Sequence, residues 1–148
     1  MIRPATPKDI IALTELSIEA LSIDKYDELV IDRERVFGSV QECVNSAKHF
    51  SWVCEIDGKI VGALGAYVEP FLFYERNQAM VVMWYCKHPG EGMKLMREFA
   101  RWVKTKPLIK QVIYGEERKG DPRVGAAFRR AFNGIGRAES IPMQIVTR

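Results

Sequence analysis

Apolar residues recur along this chain in two rhythms, and the places where one gives way to the other predict the elements. Ile2-Arg3-Pro4-Ala5 reads as a short strand. Thr6-Pro7-Lys8-Asp9 then has the makings of a helix start. Thr6 can cap, Pro7 suits the first helical position, and Asp9 can answer the cap and favour the positive helix end. Ile10, Leu13, Leu16, Ala20 and Leu21 follow at helical spacing and predict an amphipathic helix over 9–22. After a mixed loop at 22–27, Asp32 is a second cap. Val36, Val40, Cys43, Val44 and Ala47 form another helical stripe through Lys48.

The middle of the chain alternates instead. Trp52, Cys54 and Ile56 interleave with Val53 and Glu55, and Asp57-Gly58 leads into an apolar run over 59–68. An Asp-Gly pair between two such runs predicts a hairpin, because a type I′ turn needs positive φ at both central residues. Ala79 to Cys86 is continuously apolar, short and β-rich, which predicts a central strand buried on both faces. It ends at Lys87-His88-Pro89-Gly90-Glu91-Gly92. The helix that follows has Met93, Met96, Phe99, Ala100 and Val103 on one face and Lys94, Arg97, Arg101 and Lys104 on the other, and Pro107 ends it. Residues 110–115 form the next strand. Asp121-Pro122 opens a helix with Ala127, Phe128, Ala131 and Phe132 inward, Gly134 and Gly136 stop it, and 139–146 is a last strand. The predicted fold is α/β, in the order β-α-α-β-β-β-α-β-α-β. The 79–115 unit is a parallel crossover, and a mixed central sheet is flanked by helices.

With 148 residues the chain fits one domain, 1–148, able to bury a core without disulfides or metal. A composition of 47% hydrophobic and 28% charged residues excludes disordered and low-complexity classes. No apolar segment approaches the roughly 20 residues of a membrane span, and the polar Lys8-Asp9 does not fit a signal peptide. The net charge of +3 is mild, and exposed aromatics do not interleave with the basic residues, so nucleic acid is disfavoured as a partner. Three cysteines (Cys43, Cys54, Cys86) without a CxxC pair, and His49 and His88 far apart, give neither a disulfide framework nor a metal motif. They fit a reducing cytoplasm.

The strand-to-helix junction carries the chemistry. Glycines let backbone approach a ligand, and the first free amides of a helix, helped by its dipole, suit phosphate oxygens. The spacing is neither GxGxxG nor GxxxxGK[ST]. Lys87-His88-Pro89-Gly90-Glu91-Gly92, together with the order of elements, resembles the GNAT superfamily of N-acetyltransferases across almost the whole chain. A weaker resemblance, through Met83-Trp84-Tyr85, is to phage-encoded GNAT-like proteins.

The resemblance implies acetyl-CoA as cofactor, held by Tyr85, Cys86, Lys87, His88, Gly90, Glu91, Gly92, Met93 and Lys94. It also implies transfer to a small-molecule or protein amine by direct attack in a ternary complex. Within that pattern Pro89 has no N–H to give, Glu91 brings a carboxylate near the phosphates, and Lys87 stands where the family has Arg or Gln. The family's acidic Tyr has no counterpart in 128–133. Acyl transfer to an amine needs a base, a polarised carbonyl and an acid. The 79–86 strand holds no carboxylate, so Glu116 and Glu117 beyond the fifth strand, and Glu69 after the third, are the candidate bases. Tyr114 is a candidate acid competing with core packing. The apolar connection Phe71-Leu72-Phe73-Tyr74 either folds over the sheet or serves as a substrate-lining or homodimer contact. The alternative to an enzyme is a catalytically weak or inactive GNAT-like interaction or virion-associated protein.

Overall fold

Asp57 and Gly58 both have positive φ, 52° and 76°, and reverse the chain between β2 (Phe50–Ile56) and β3 (Lys59–Pro70), as the Asp-Gly pair predicts. In this computed structural model, which describes residues 1–23, 29–115 and 122–133, that hairpin is the middle of a five-stranded sheet. β1 (Ile2–Pro4) pairs antiparallel with β2, and β3 pairs antiparallel with β4 (Asn77–Cys86). β4 then runs parallel to β5 (Ile109–Tyr114), so the sheet is mixed in the order β1-β2-β3-β4-β5. The helices are α1 (Ile10–Ile23), α2 (Arg33–Asn45), α3 (Pro89–Lys104) and α4 (Pro122–Ala131). The predicted last strand at 139–146, Gly134, Gly136, Asp121 and most of the 22–27 loop lie outside the described residues.

Two hydrophobic layers hold the sheet. On one face Leu95, Met96 and Phe99 of α3 and Phe128 and Phe132, on and just after α4, pack on Phe50, Leu64, Ala79 and Val81. On the other, Leu13 and Leu16 of α1 pack with Val53 and Ala63, with Val40 and Val44 of α2 beside them. Leu95, outside the predicted helical stripe, is fully buried. The exposed face of α3 carries Lys94, Arg97, Arg101 and Lys104, two of which are ion-paired within the helix to Glu91 and Glu98. The stripe is therefore a solvated face.

β4 corrects the expectation of a strand buried on both faces. Ala79 and Val81 are buried under α3, but Met80 and Val82 are 43% and 52% exposed. Met80 and Val82 belong to neither buried layer, and the register shifts at Val82. Gly65 pairs with Met83 and Ala66 with Val81, so Val82 is the extra residue of a β-bulge. Beyond the bulge Met83 and Tyr85 lie under α1 and α2, whereas Trp84 and Cys86 pack against α3. Two further boundaries shift. A 3₁₀ turn at Pro7–Asp9 precedes α1, and α2 stops at Asn45 rather than Lys48 because Ser46 is extended. The Phe71–Tyr74 connection does not fold over the sheet, since Leu72 and Phe73 are 86% and 84% exposed.

The start of α1 is tied by charge. The Asp9 carboxylate accepts two hydrogen bonds from the Arg3 guanidinium, at 2.7 and 3.0 Å, and one from the Thr6 backbone at 2.8 Å. Arg3 holds Asp9 at about 2 against an ordinary 3.8. Because the folded value lies below the unfolded one, this contribution is complete above pH 4 and lost as pH falls from about 4 towards 2. Urea midpoints measured from pH 5 to 2 will fall more steeply for the native chain than for Asp9→Asn.

Candidate active site

The bulge at Val82 opens the sheet. Pairing between β4 and β5 runs from Asn77↔Ile109 to Val81↔Tyr114 and ends there, while β4 continues to Cys86. Lys87 N–H donates to Val61 O at 2.9 Å. Ladder direction alternates along a strand, so Trp84 and Cys86 turn their backbone groups away from β3 and into the opening. No strand fills it among the described residues.

β4 feeds directly into α3. The helix begins at Pro89 with His88 as its N-cap, so Gly90, Glu91 and Gly92 form its first turn rather than a preceding loop. Most of the expected free amides are committed. His88 N–H donates to Cys86 Sγ at 3.4 Å, and the Glu91 and Gly92 amides donate to His88 O at 3.0 and 3.2 Å. The Gly90 amide has no acceptor among the described residues, and a Cβ added at this exposed residue would meet nothing within 4 Å.

The two glycines therefore differ. Gly92 is buried and its carbonyl accepts from Trp84 Nε1 at 2.9 Å; an added Cβ would lie 3.3 Å from Cys86 Cβ. Close approach of helix and sheet therefore favours glycine at this position. Met93 is half-buried on the next turn.

The charged residues of the junction point elsewhere. Glu91 accepts from Lys94 Nζ at 2.6 Å and lies 3.9 Å from Cys54 Sγ. Cys54 sits on β2, on the far side of β3, so this carboxylate is directed away from the β4–β5 opening. Lys94 holds it below the usual carboxylate range. Lys87 Nζ lies 3.2 Å from Glu19 on α1, on the opposite face. Cys86 accepts a backbone N–H and has no imidazole partner, and burial pushes the Cys43 thiol up to about 11. His49 is a core residue whose Nδ1 accepts from Val68 N–H at 3.0 Å; burial lowers its proton affinity.

A cavity of about 340 Å³ lies between α1, α2 and the sheet and reaches the opening at Trp84, Tyr114 and Gly115. Three tyrosines line it. Tyr67 donates to Ser39 O, and burial pushes its hydroxyl up to about 12. Burial, followed by the facing Glu19 carboxylate, also raises Tyr85. Tyr114 stands at the vertex, its ring 5.7 Å from Trp84 and 5.3 Å from Phe128, so it belongs at once to the core and to the cavity wall. Glu116 and Glu117 lie outside the described residues, directly after Gly115. Glu69 is exposed, pairs with Gln78 and does not line the cavity. Sequence reasoning missed Glu19, Tyr67 and the bulge. The alternating apolar pattern places Tyr67 on a sheet face, but no local signal marks the other two. Among the described residues no helix is long and apolar enough to cross a membrane, and no group of three His, Cys, Asp or Glu could hold a metal.

No protein-family model and no curated protein sequence matches the chain. Solved structures do. A predicted acetyltransferase from Clostridium acetobutylicum, solved with acetyl-CoA, superposes with a TM-score of 0.74 at 12% identity, covering 99% of this chain and 95% of that one. An aminoglycoside acetyltransferase from an uncultured soil metagenomic sample, in complex with sisomicin, gives 0.65 at 18% identity over 100% and 96%. A GNAT-family acetyltransferase from Streptococcus pneumoniae gives 0.54 at 18% over 76% and 71%. The chain has the fold of the GNAT acetyltransferases.

The contrast between the glycines is measurable by urea unfolding. Gly92→Leu should destabilise the protein by about 1–3 kcal/mol through overpacking against Cys86 and Trp84, whereas Gly90→Ala should stay within about 0.5 kcal/mol of the native chain.

Proposed function

We propose that the protein is an acetyl-CoA-dependent N-acetyltransferase acting on a primary amine by direct attack in a ternary complex. One observation carries this reading: β4 parts from β5 at Val81↔Tyr114 and runs straight into the N-terminus of a long helix. The backbone groups of Trp84 and Cys86 suit an arm made of amide units. The Gly90 amide and the positive end of α3 suit a diphosphate. Of the other residues implied for the cofactor, His88 is the N-cap of α3, Tyr85 lies between Trp84 and Cys86 on β4, and Met93 follows Gly92 on the helix. Lys87 and Lys94 are engaged by Glu19 and Glu91 and would lend charge only by leaving those partners.

Bound acetyl-CoA supplies the activated thioester carbonyl. In the balanced reaction the amine nitrogen gains a bond to the acetyl carbon, the carbon–sulfur bond breaks, and one proton passes from nitrogen to sulfur. A backbone N–H at the open end of β4 is the donor to the carbonyl oxygen. Glu116 and Glu117, following Gly115 on the cavity wall, are the candidates to take the amine proton. Tyr114 at the vertex is the candidate to protonate the thiolate, ahead of Tyr85, whose proton Glu19 holds more tightly. Glu69 has no part in this reading.

A second reading, an interaction protein that keeps the fold without acyl transfer, draws on the engaged lysines and on Pro89 at the first helical position. Calorimetry separates the two. Acetyl-CoA should bind, and Gly90→Glu should weaken it at least tenfold while leaving the unfolding midpoint unchanged. Absence of binding to the native chain would sink the transferase. If acetyl-CoA binds, Tyr114→Phe should lower kcat for thiol release about 10²-fold with little change in KM.

A further inference from the structure

The cavity that leads to the split also says which amines fit. We infer that the acceptor is a small monoamine with an apolar body, an arylalkyl- or alkylamine, and not a polycation; this rests on the transferase reading above. Leu13 and Leu21 of α1, Val36 and Val40 of α2, and Val82 and Met83 of β4 form its walls. Three of the polar side chains among the lining are engaged within the protein. Ser17 donates to Met83 Sδ at 3.0 Å, Tyr67 donates to Ser39 O, and Cys43 Sγ donates to Phe50 O at 3.3 Å. Arg35 alone brings charge, and it is ion-paired with Asp32 at 3.3 Å; no carboxylate lines the cavity among the described residues.

A polyamine or aminoglycoside would exchange water for these walls with several ammonium groups unpaired, which is costly. A monoamine loses much less. Its apolar body replaces water along the walls, and desolvation shifts its ammonium towards the neutral form. Only the neutral amine carries the lone pair that attacks. The same walls therefore select the acceptor and help remove its proton. A volume of about 340 Å³ stands near the lower end for ligand pockets and suits one ring or a short alkyl chain.

Thiol release from acetyl-CoA should be compared for 2-phenylethylamine, spermidine and sisomicin, with calorimetry of each amine on the protein. The expected result is a kcat/KM for 2-phenylethylamine at least tenfold above the other two. Val82→Asp, at a half-exposed position that tolerates charge, should narrow that ratio. Equal or greater activity on spermidine or sisomicin would overturn the inference and leave the transferase standing. If acetyl-CoA itself fails to bind, the parent reading falls, and calorimetry still decides the cavity. Binding of 2-phenylethylamine that is lost in Val40→Trp supports an apolar amine site. No binding, or binding unaffected by Val40→Trp and by Val36→Trp, overturns it.

Discussion

Backbone hydrogen bonding at the carboxyl end of β4 is the constraint on which the rest of the structure depends. A strand inside a sheet pairs on both edges, and a buried amide or carbonyl left without a partner costs about 1–3 kcal/mol. β4 gives up its partner at Val81↔Tyr114, where the bulge at Val82 changes its direction. The groups that lose β5 must meet water or a ligand. The fold makes room for either by placing the Trp84 and Tyr114 rings edge to face at the vertex. The same bulge sets two consecutive side chains, Val82 and Met83, against the α1–α2 side, so the opening and the apolar cavity arise from one local irregularity.

At the other end of the opening, α3 has to start very close to the sheet. Gly92 permits that approach and Trp84 fixes it by donating to the Gly92 carbonyl. Close seating leaves little freedom to the first turn. Its amides fold back on His88 O, and Gly90 is the residue that keeps a donor turned outward. The neighbouring charges are neutralised in pairs, Lys94 with Glu91 on one face of the sheet and Lys87 with Glu19 on the other. On the proposed function, what an anion would meet at this junction is therefore mainly the helix end and one amide, rather than a cluster of cations.

Much of this was legible in the chain because it is encoded locally. Asp57-Gly58 forced the hairpin through its positive φ values, and the stripe through Met96, Phe99 and Val103 announced α3 and its inner face. The exposed half of β4 was not legible. A run such as Val81-Val82-Met83 looks the same whether a helix or a cavity covers it, and a bulge leaves no mark in the pattern. Gly92 is ambiguous for a related reason: a glycine needed for helix–sheet contact and one needed for a ligand have the same letter and the same spacing. The Glu19–Lys87 pair joins a helix to a strand end distant in sequence, so only the folded chain brings it together.

The tyrosines tie the electrostatics of the cavity to its chemistry. A carboxylate close behind the wall would normally draw ammonium groups in and hold them charged, which opposes attack by nitrogen. Glu19 is such a carboxylate; it is paired with Lys87, and it reaches the cavity wall through the Tyr85 hydroxyl, whose proton it helps to hold. Tyr67 is likewise closed off by its bond to Ser39. Among the described residues the lining is mostly apolar, with Arg35 its one charged side chain; on the proposed acyl transfer an amine would shed its proton there more readily than in water. On that proposal a base would have less to accomplish, because it would receive a proton that the walls had already loosened, and it would need proximity more than an unusual proton affinity.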